Sequence, residues 1–282
     1  MKGRKKWIIP ASAVGAALTG WIWWGNTALM VSRLTVASQR LTEAFSGIRI
    51  AHISDLHNTE FGPDNKRLLC LLEECAPDLI VITGDMVDSR RTDLVSALVF
   101  AEGAAGIAPT YYVPGNHEGR ILEYVQLKTG LKQAGVTVLE DGYVVLRRGG
   151  EEITLCGMAD PSFHVDVMDE SALVQVEAML ENILEGTEGY RILLSHRPEL
   201  IQLYARAGVD LVFSGHAHGG QFRFPGIGGL IGPGQGLFPT YDSGLYIEGD
   251  TQMVVSRGLG NSLFPFRLNN RPEIVLAELI RG

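Results

Sequence analysis

The stretch Ile48-Arg-Ile-Ala-His-Ile-Ser-Asp-Leu-His57 sets the reading of the whole chain. Its first seven residues form a strand-like apolar run, which ends in Asp55-Leu-His57. In an extended segment residues i and i+2 point the same way, so Asp55 and His57 offer a carboxylate and an imidazole on one side while Leu56 faces the other. Four later apolar runs end in similar blocks: Gly84-Asp85-Met-Val-Asp88, Gly115-Asn116-His117-Glu118, Ser195-His196 and Gly215-His216-Ala-His218. Five of the seven histidines fall in these blocks, where chance would place roughly half of one.

Between the blocks, short apolar runs (79–83, 111–113, 143–146, 153–156, 192–194, 209–213, 253–256 and 274–279) alternate with segments of helical periodicity (65–75, 94–104, 121–134, 171–184 and 198–207). The alternation predicts one α/β domain over residues 47–282, undivided by any linker rich in Pro, Gly or Ser. Polar clusters at the carboxyl ends of such strands converge on one crevice. The glycines beside them, Gly84, Gly115 and Gly215, permit the tight turns this requires. The donors are carboxylates, imidazoles and one amide, an N/O set suited to manganese, iron or zinc and large enough for two ions. The three cysteines, Cys70, Cys75 and Cys156, form no CxxC pair and predict neither a disulfide framework nor a thiolate zinc site.

Taken together and in order, the five blocks resemble the signature of the calcineurin-like metallophosphoesterases across residues 50–218. The resemblance implies a four-layer α/β/β/α sandwich and a hydrolase acting on phosphoric ester or diphosphate bonds. It also implies two divalent or trivalent ions, with Asp55, His57, Asp85 and His218 on one, Asp85, Asn116, His196 and His216 on the other, and Asp85 bridging. Two such ions polarise phosphoryl oxygens and activate water for in-line attack. His117 follows a ligand without being one in that pattern, which makes it the expected general acid, and Asp88 its expected orienting partner. Glu118 reads as a structural acid and His52 as a sheet histidine. The blocks Gly219-Gly220-Gln221, Ser256-Arg257-Gly-Leu-Gly-Asn-Ser262 and Asn270-Arg-Pro-Glu273 are similar to the membrane-associated bacterial branch likened to UDP-2,3-diacylglucosamine pyrophosphohydrolases.

The N-terminus carries a second message. Four bases in the first six residues precede an uncharged run of 26 residues, Trp7 to Ser32, with Trp21, Trp23 and Trp24 near its end. A helix over that run reaches about 39 Å, enough to cross a bilayer. The expectation is a basic cytoplasmic stub (1–6), a single-pass transmembrane anchor (7–32), a linker or first strand (33–46) and an extracytoplasmic domain. The remainder of the chain holds 20 bases against 32 acids, a balance that disfavours nucleic acid as a partner. Residues 219–244, with nine glycines, lack a P-loop signature and leave directly from the metal-ligand blocks. Phe222 and Phe224 in this loop, with His164 and Arg257, are the expected substrate contacts; Phe238 in the loop and Arg197 are further candidates.

These features predict a membrane-anchored phosphodiesterase or pyrophosphatase, favoured toward a lipid-linked substrate by its tether. The alternatives are a broad-specificity phosphomonoesterase and a non-catalytic, metal-stabilised binding protein at the cell surface. A dinuclear amidohydrolase or metallo-β-lactamase-like enzyme would need an HxHxDH run, which is absent.

Overall fold

The computed structural model describes residues 5–165 and 167–282, with side chains from Val14 onward. After helix α1 (Lys5–Thr27) come β1 (Met30–Ser38), β2 (Arg49–Ile53), α2 (Lys66–Glu74), β3 (Leu79–Thr83), α3 (Leu94–Ile107), β4 (Thr110–Val113), α4 (Tyr124–Gln133) and β5 (Thr137–Val138). The second half begins with the hairpin β6 (Gly142–Arg148) and β7 (Glu151–Gly157), followed by α5 (Glu170–Leu184), β8 (Arg191–Leu194), α6 (Ile201–Arg206) and β9 (Leu211–Ser214). Two small ribbons follow, β10 (Arg223–Phe224) with β11 (Gly228–Gly229) and β12 (Ile231–Gly232) with β13 (Gly236–Leu237). The chain closes through β14 (Gly244–Glu248), β15 (Thr251–Val255) and β16 (Glu273–Arg281).

Two six-stranded sheets result, ordered β1-β16-β2-β3-β4-β5 and β14-β15-β9-β8-β7-β6. Strand alternation explains why they form layers. In β3, Leu79 and Val81 face the other sheet, where they join Ile153, Ile192, Leu194 and Phe213, while Ile80 and Ile82 face Leu68, Phe100 and Leu127 on the helices. The second sheet turns Leu193, Val212 and Met253 toward Val176 and Leu180 of α5 and Tyr204 of α6. The arrangement is the expected α/β/β/α sandwich. Because β2, β3 and β4 run parallel to one another, as do β8 and β9, their carboxyl ends gather at one rim.

The N-terminal expectation needs correcting. Residues 1–4 of the expected stub lie outside the described residues, as do the side chains of residues 7–13 of the expected span. The helix ends at Thr27, and Met30–Ser32 belong instead to β1, which pairs in parallel with β16 from Met30↔Glu273 to Ser38↔Arg281. An uncharged run that passes from helix into a strand gives no charge signal at the boundary, so its length overstates the helix. Among the described residues no helix is long and apolar enough to cross a membrane. Of the two expectations for 33–46, a linker or a first strand, the structure has the strand: the segment completes β1 and then forms a short turn, Glu43–Phe45, whose Phe45 is buried.

Candidate metal centre

Each expected ligand sits immediately after a strand, and the backbone there is unusual. Asp55, His57, Asp85, His216 and His218 all have positive φ, between 46° and 63°. For residues with a Cβ this region is sparsely populated and costs of order 1 kcal/mol or more each. The turns that aim these side chains inward are thus held by their surroundings. A Cβ on Gly115 would collide with Asp85 Oδ1, and one on Gly215 with Ser54 Oγ, so these two loops close only because both positions are glycine.

Glu118 supplies much of the remaining hold. Its buried carboxylate accepts backbone N–H groups from Asp85 (2.8 Å), Met86 (2.7 Å), Val87 (3.2 Å) and Gly115 (2.8 Å), which rivets the loop after β3 to the loop after β4. Burial and the neighbouring charge of Asp85 push its carboxyl up to about 8, against the pull of those N–H groups. Glu118 is structural, as expected, but its four-donor role depends on two loops meeting and was not visible in the sequence.

Six of the seven expected ligands lie in two adjoining groups that share Asp85. In the first, His57 Nε2 is 3.2 Å from His218 Nε2 and 3.6 Å from Asp85 Oδ2, while His218 Nε2 is 3.5 Å from Asp55 Oδ1. In the second, His196 Nε2 is 3.2 Å from the same Asp85 Oδ2 and 3.1 Å from His216 Nδ1. Two ligand atoms bound to one ion at ~2.0–2.2 Å and ordinary angles stand roughly 2.8–3.6 Å apart, the spacing seen here. Asp85 Oδ1 accepts the His117 backbone N–H at 2.8 Å, which leaves Oδ2 as the atom common to both groups. His196 Nδ1 donates to Thr83 O at 2.6 Å and so keeps Nε2 free as a donor of electrons.

Electrostatics favours the same reading. Burial holds His57, His216 and His218 below the usual histidine range, in the neutral form that binds metals. His196 is the exception: against burial, its pairing with Asp85 without metal lifts it to about 10 and holds the Asp85 carboxyl well below its usual range, so a cation binding there displaces the His196 Nε2 proton. Asn116 Oδ1 is buried without a hydrogen-bond partner, as a ligand oxygen would be, and Asn116 lines the cleft with Asp85 and His216. On these grounds the donor set fits a pair of cations.

His117 occupies the edge of this array. It can also be grouped with His57 and Asp85 as metal-capable, yet both its nitrogens face other neighbours. Nδ1 accepts the Ser89 backbone N–H at 3.0 Å, so a neutral ring carries its hydrogen on Nε2, which lies 3.2 Å from Ser262 Oγ. The expected partner Asp88 is 3.6 Å from Nδ1, beyond a hydrogen bond. Its two oxygens are taken by Arg90, through Nε at 3.0 Å and Nη2 at 2.9 Å.

The cleft over the centre has a volume of about 430 Å³, and Arg90, Arg120, Arg197 and Ser262 share its wall with the metal-capable residues. Arg197 is held there by Asp160 at 2.8 Å. Beside it opens a narrower apolar groove of about 310 Å³ lined by Ile231, Pro233, Leu263 and Phe264. Of the four expected substrate contacts, none lines either space. Phe222 packs on Phe264 and Phe266, and Phe224 stands on the outer ribbon. Arg257 turns to Glu273 at 3.8 Å, and His164, in the loop after β7, pairs with Asp141 at 2.9 Å. Phe238, just past β13, is 59% exposed.

The family model of the calcineurin-like phosphoesterases matches residues 48–220, the span that contains every one of these ligands. The chain belongs to the calcineurin-like phosphoesterase family. As a member it is a hydrolase of phosphoric esters. It is 30% identical over 252 residues to the uncharacterized metallophosphoesterase YkuE of Bacillus subtilis, a match covering 87% of this chain and 83% of that one. It is also 30% identical over 243 residues to the phosphodiesterase YaeI of Escherichia coli, covering 82% of each. Among solved structures, TT1561 of Thermus thermophilus has the same fold, with a TM-score of 0.52 at 15% identity over 76% of this chain and 91% of that one.

Proposed function

We propose that this calcineurin-like phosphoesterase is a dinuclear metal-dependent phosphodiesterase or pyrophosphatase that works at a membrane surface. The observation that carries the catalytic part is Asp85 Oδ2, within 3.6 Å of His57 Nε2 and 3.2 Å of His196 Nε2, so that one oxygen belongs to both ligand groups. Asp55, His57, Asp85 and His218 would hold one ion, and Asp85, Asn116, His196 and His216 the other. Bound there, a pair of Mn, Fe or Zn ions supplies Lewis-acid charge to the phosphoryl oxygens and makes water a nucleophile near neutral pH.

The chain's own groups do the rest. Arg90, Arg120 and Arg197 on the cleft wall attract and align an anionic ester. His117 Nε2–H is the proton source for the leaving oxygen. Asp88 acts at one remove, by fixing Arg90 and the Ser89 N–H that sets the His117 tautomer. The name of YaeI as a phosphodiesterase supports a diester over a monoester. A groove of Ile231, Pro233, Leu263 and Phe264 next to the metal ligands supports an ester with an apolar, lipid-like arm.

Membrane association rests on the basic N-terminus, the uncharged run after it and the outward-facing Val14, Leu18, Trp21, Trp23 and Trp24 of α1. In this reading the domain lies outside the cytoplasm. The deciding experiment is hydrolysis of matched phosphomonoesters, phosphodiesters, diphosphates and lipid-linked diphosphates by the full chain in detergent, with bound metal measured by elemental analysis. Metal-dependent turnover with diesters or diphosphates ahead of monoesters is expected. Equal rates on all classes would instead describe a general phosphatase, and turnover indifferent to metal would end the dinuclear reading.

A further inference from the structure

The last turn of α1 is tied to one loop of the domain by a single side chain. Asn26 Oδ1 accepts from Asn261 Nδ2 at 2.8 Å and from the backbone N–H of Arg267 at 2.9 Å, the two ends of the 261–267 loop. Its amide donates back into the helix, to Ile22 O at 2.6 Å, so the acceptor oxygen is fixed in the helix frame. Arg267 is fully buried and anchors its end of the loop by donating to Arg257 O at 2.7 Å and to Gly260 O. Trp21 Nε1 donates to Asn269 Oδ1 at 3.2 Å, and the Arg271 guanidinium lies 4.9 Å over the Trp24 ring, so the helix end is seated at three points. Between its anchors the second half of the loop is also held by Gln221, whose Nε2 donates to Phe266 O at 2.6 Å, and by Phe222 packed on Phe264 and Phe266, whereas Leu263, next to Ser262, is 76% exposed.

This loop carries Ser262 into the cleft wall beside Asp85, Asn116 and His117. Two donors converge on Ser262 Oγ, His117 Nε2–H at 3.2 Å and Arg90 Nη2 at 3.3 Å. A hydroxyl that accepts twice has its own hydrogen left over, and no protein acceptor among the described residues takes it. The open side is the cleft.

We propose that α1 is a working part of the catalytic cleft: Asn26 holds the 261–267 loop so that Ser262 keeps the His117 Nε2–H in place until the leaving oxygen takes it, and donates its own hydroxyl hydrogen to another oxygen of the bound phosphoester. Ser262 is then a catalytic contact and Asn26 a positioning residue acting through it. No bond to Ser262 is made or broken; its hydrogen bond stabilises charge on the ester oxygen as the barrier is approached. The inference rests on the phosphoesterase reading above and adds the helix to the site.

The test uses the full chain loaded with Mn²⁺ and bis(p-nitrophenyl) phosphate as probe. Ser262→Ala is expected to lower kcat about tenfold, the worth of one well-placed hydrogen bond, with KM, metal content and melting temperature little changed. Asn26→Ala should show the same kcat loss, and Asn26→Asp, which keeps the acceptor oxygen, should recover most of it. The double variant Asn26→Ala/Ser262→Ala should match Ser262→Ala alone, about tenfold down and not about a hundredfold, because the two act as one unit. Wild-type kcat in Asn26→Ala, or losses that multiply, would overturn the inference. A wild-type protein that turns over no diester while fully metal-loaded would overturn the phosphoesterase reading instead.

Discussion

Asp85 is the residue on which the centre turns, since one of its oxygens serves both ligand groups and the other holds the His117 backbone. Asp85→Asn is expected to lose both metals and nearly all turnover in a chain that still folds; elemental analysis and far-UV circular dichroism check the two halves of that statement. His117→Ala should keep the metals and lose turnover by about 100-fold to 10,000-fold, the usual worth of a general acid, with the smallest loss on activated esters whose leaving groups need no proton. A histidine outside the centre gives the pH prediction. His52 is fully buried in β2, its Nε2 2.7 Å from Thr83 Oγ1, and burial lowers its pKa to about 3 from 6.5. Below pH 6.5 the unfolded chain therefore takes up a proton that the folded chain refuses, so stability is full above 6.5 and falls as the pH drops toward 3. The slope is about 1.4 kcal/mol per pH unit. Urea denaturation at pH 7.0 and 5.5 should show His52→Gln losing about 1.4 kcal/mol less than the parent over that interval; an equal loss would assign the acid sensitivity elsewhere. The ligands were legible because Asp-x-His and His-x-His spacing is local chemistry. Their positive φ values and the Glu118 rivet were not, since both come from loops far apart in sequence being pressed together.

At the scale of elements, the helices α2–α6 and nine strands, β2–β4, β6–β9, β15 and β16, were legible from apolar periodicity; the end of α1, the two-residue strands and β14 were not. Helix and strand are equally uncharged from Trp7 to Ser32, and only the pairing of Met30 with Glu273 across the sheet decides where one stops. The glycine-rich loop misled in a similar way. Its phenylalanines suggested a substrate wall, but Phe222 is spent on packing against Phe264 and Phe266, and the apolar groove is built by Ile231, Pro233, Leu263 and Phe264. A loop side chain's partner depends on how the loop lies back, which composition does not encode. The groove makes a prediction that separates its function from the centre's. Leu263→Ser should raise KM several-fold for a phosphodiester with a long alkyl arm, and leave kcat/KM for bis(p-nitrophenyl) phosphate within about twofold, since exposed substitutions away from buried contacts change energies by about 0.5 kcal/mol or less. Parallel kinetics on the two esters are the check, and an equal effect on both would remove the groove from substrate binding.

For the whole molecule, the two sheets share one core and the rim between them holds the ligands, so metal binding and folding are coupled. Removing metal with a chelator should lower the melting temperature, and restoring it at about 100 times its dissociation constant should return about 2.7 kcal/mol per site. Differential scanning fluorimetry against metal concentration measures this, and Asp85→Asn should show little of it. The order of the first sheet has a separate consequence, for the chain as it is being made. Its second position is filled by β16, the last strand in the sequence, lodged between β1 and β2. A nascent chain that has not yet released Glu273–Arg281 has one edge of β1 and one edge of β2 bare, with the strand leading to Asp55 and His57 unsupported on that side. Completion of the metal pocket is thereby deferred until β16 has been made, and products cut short of residue 273 carry open strand edges of the kind that seed aggregation.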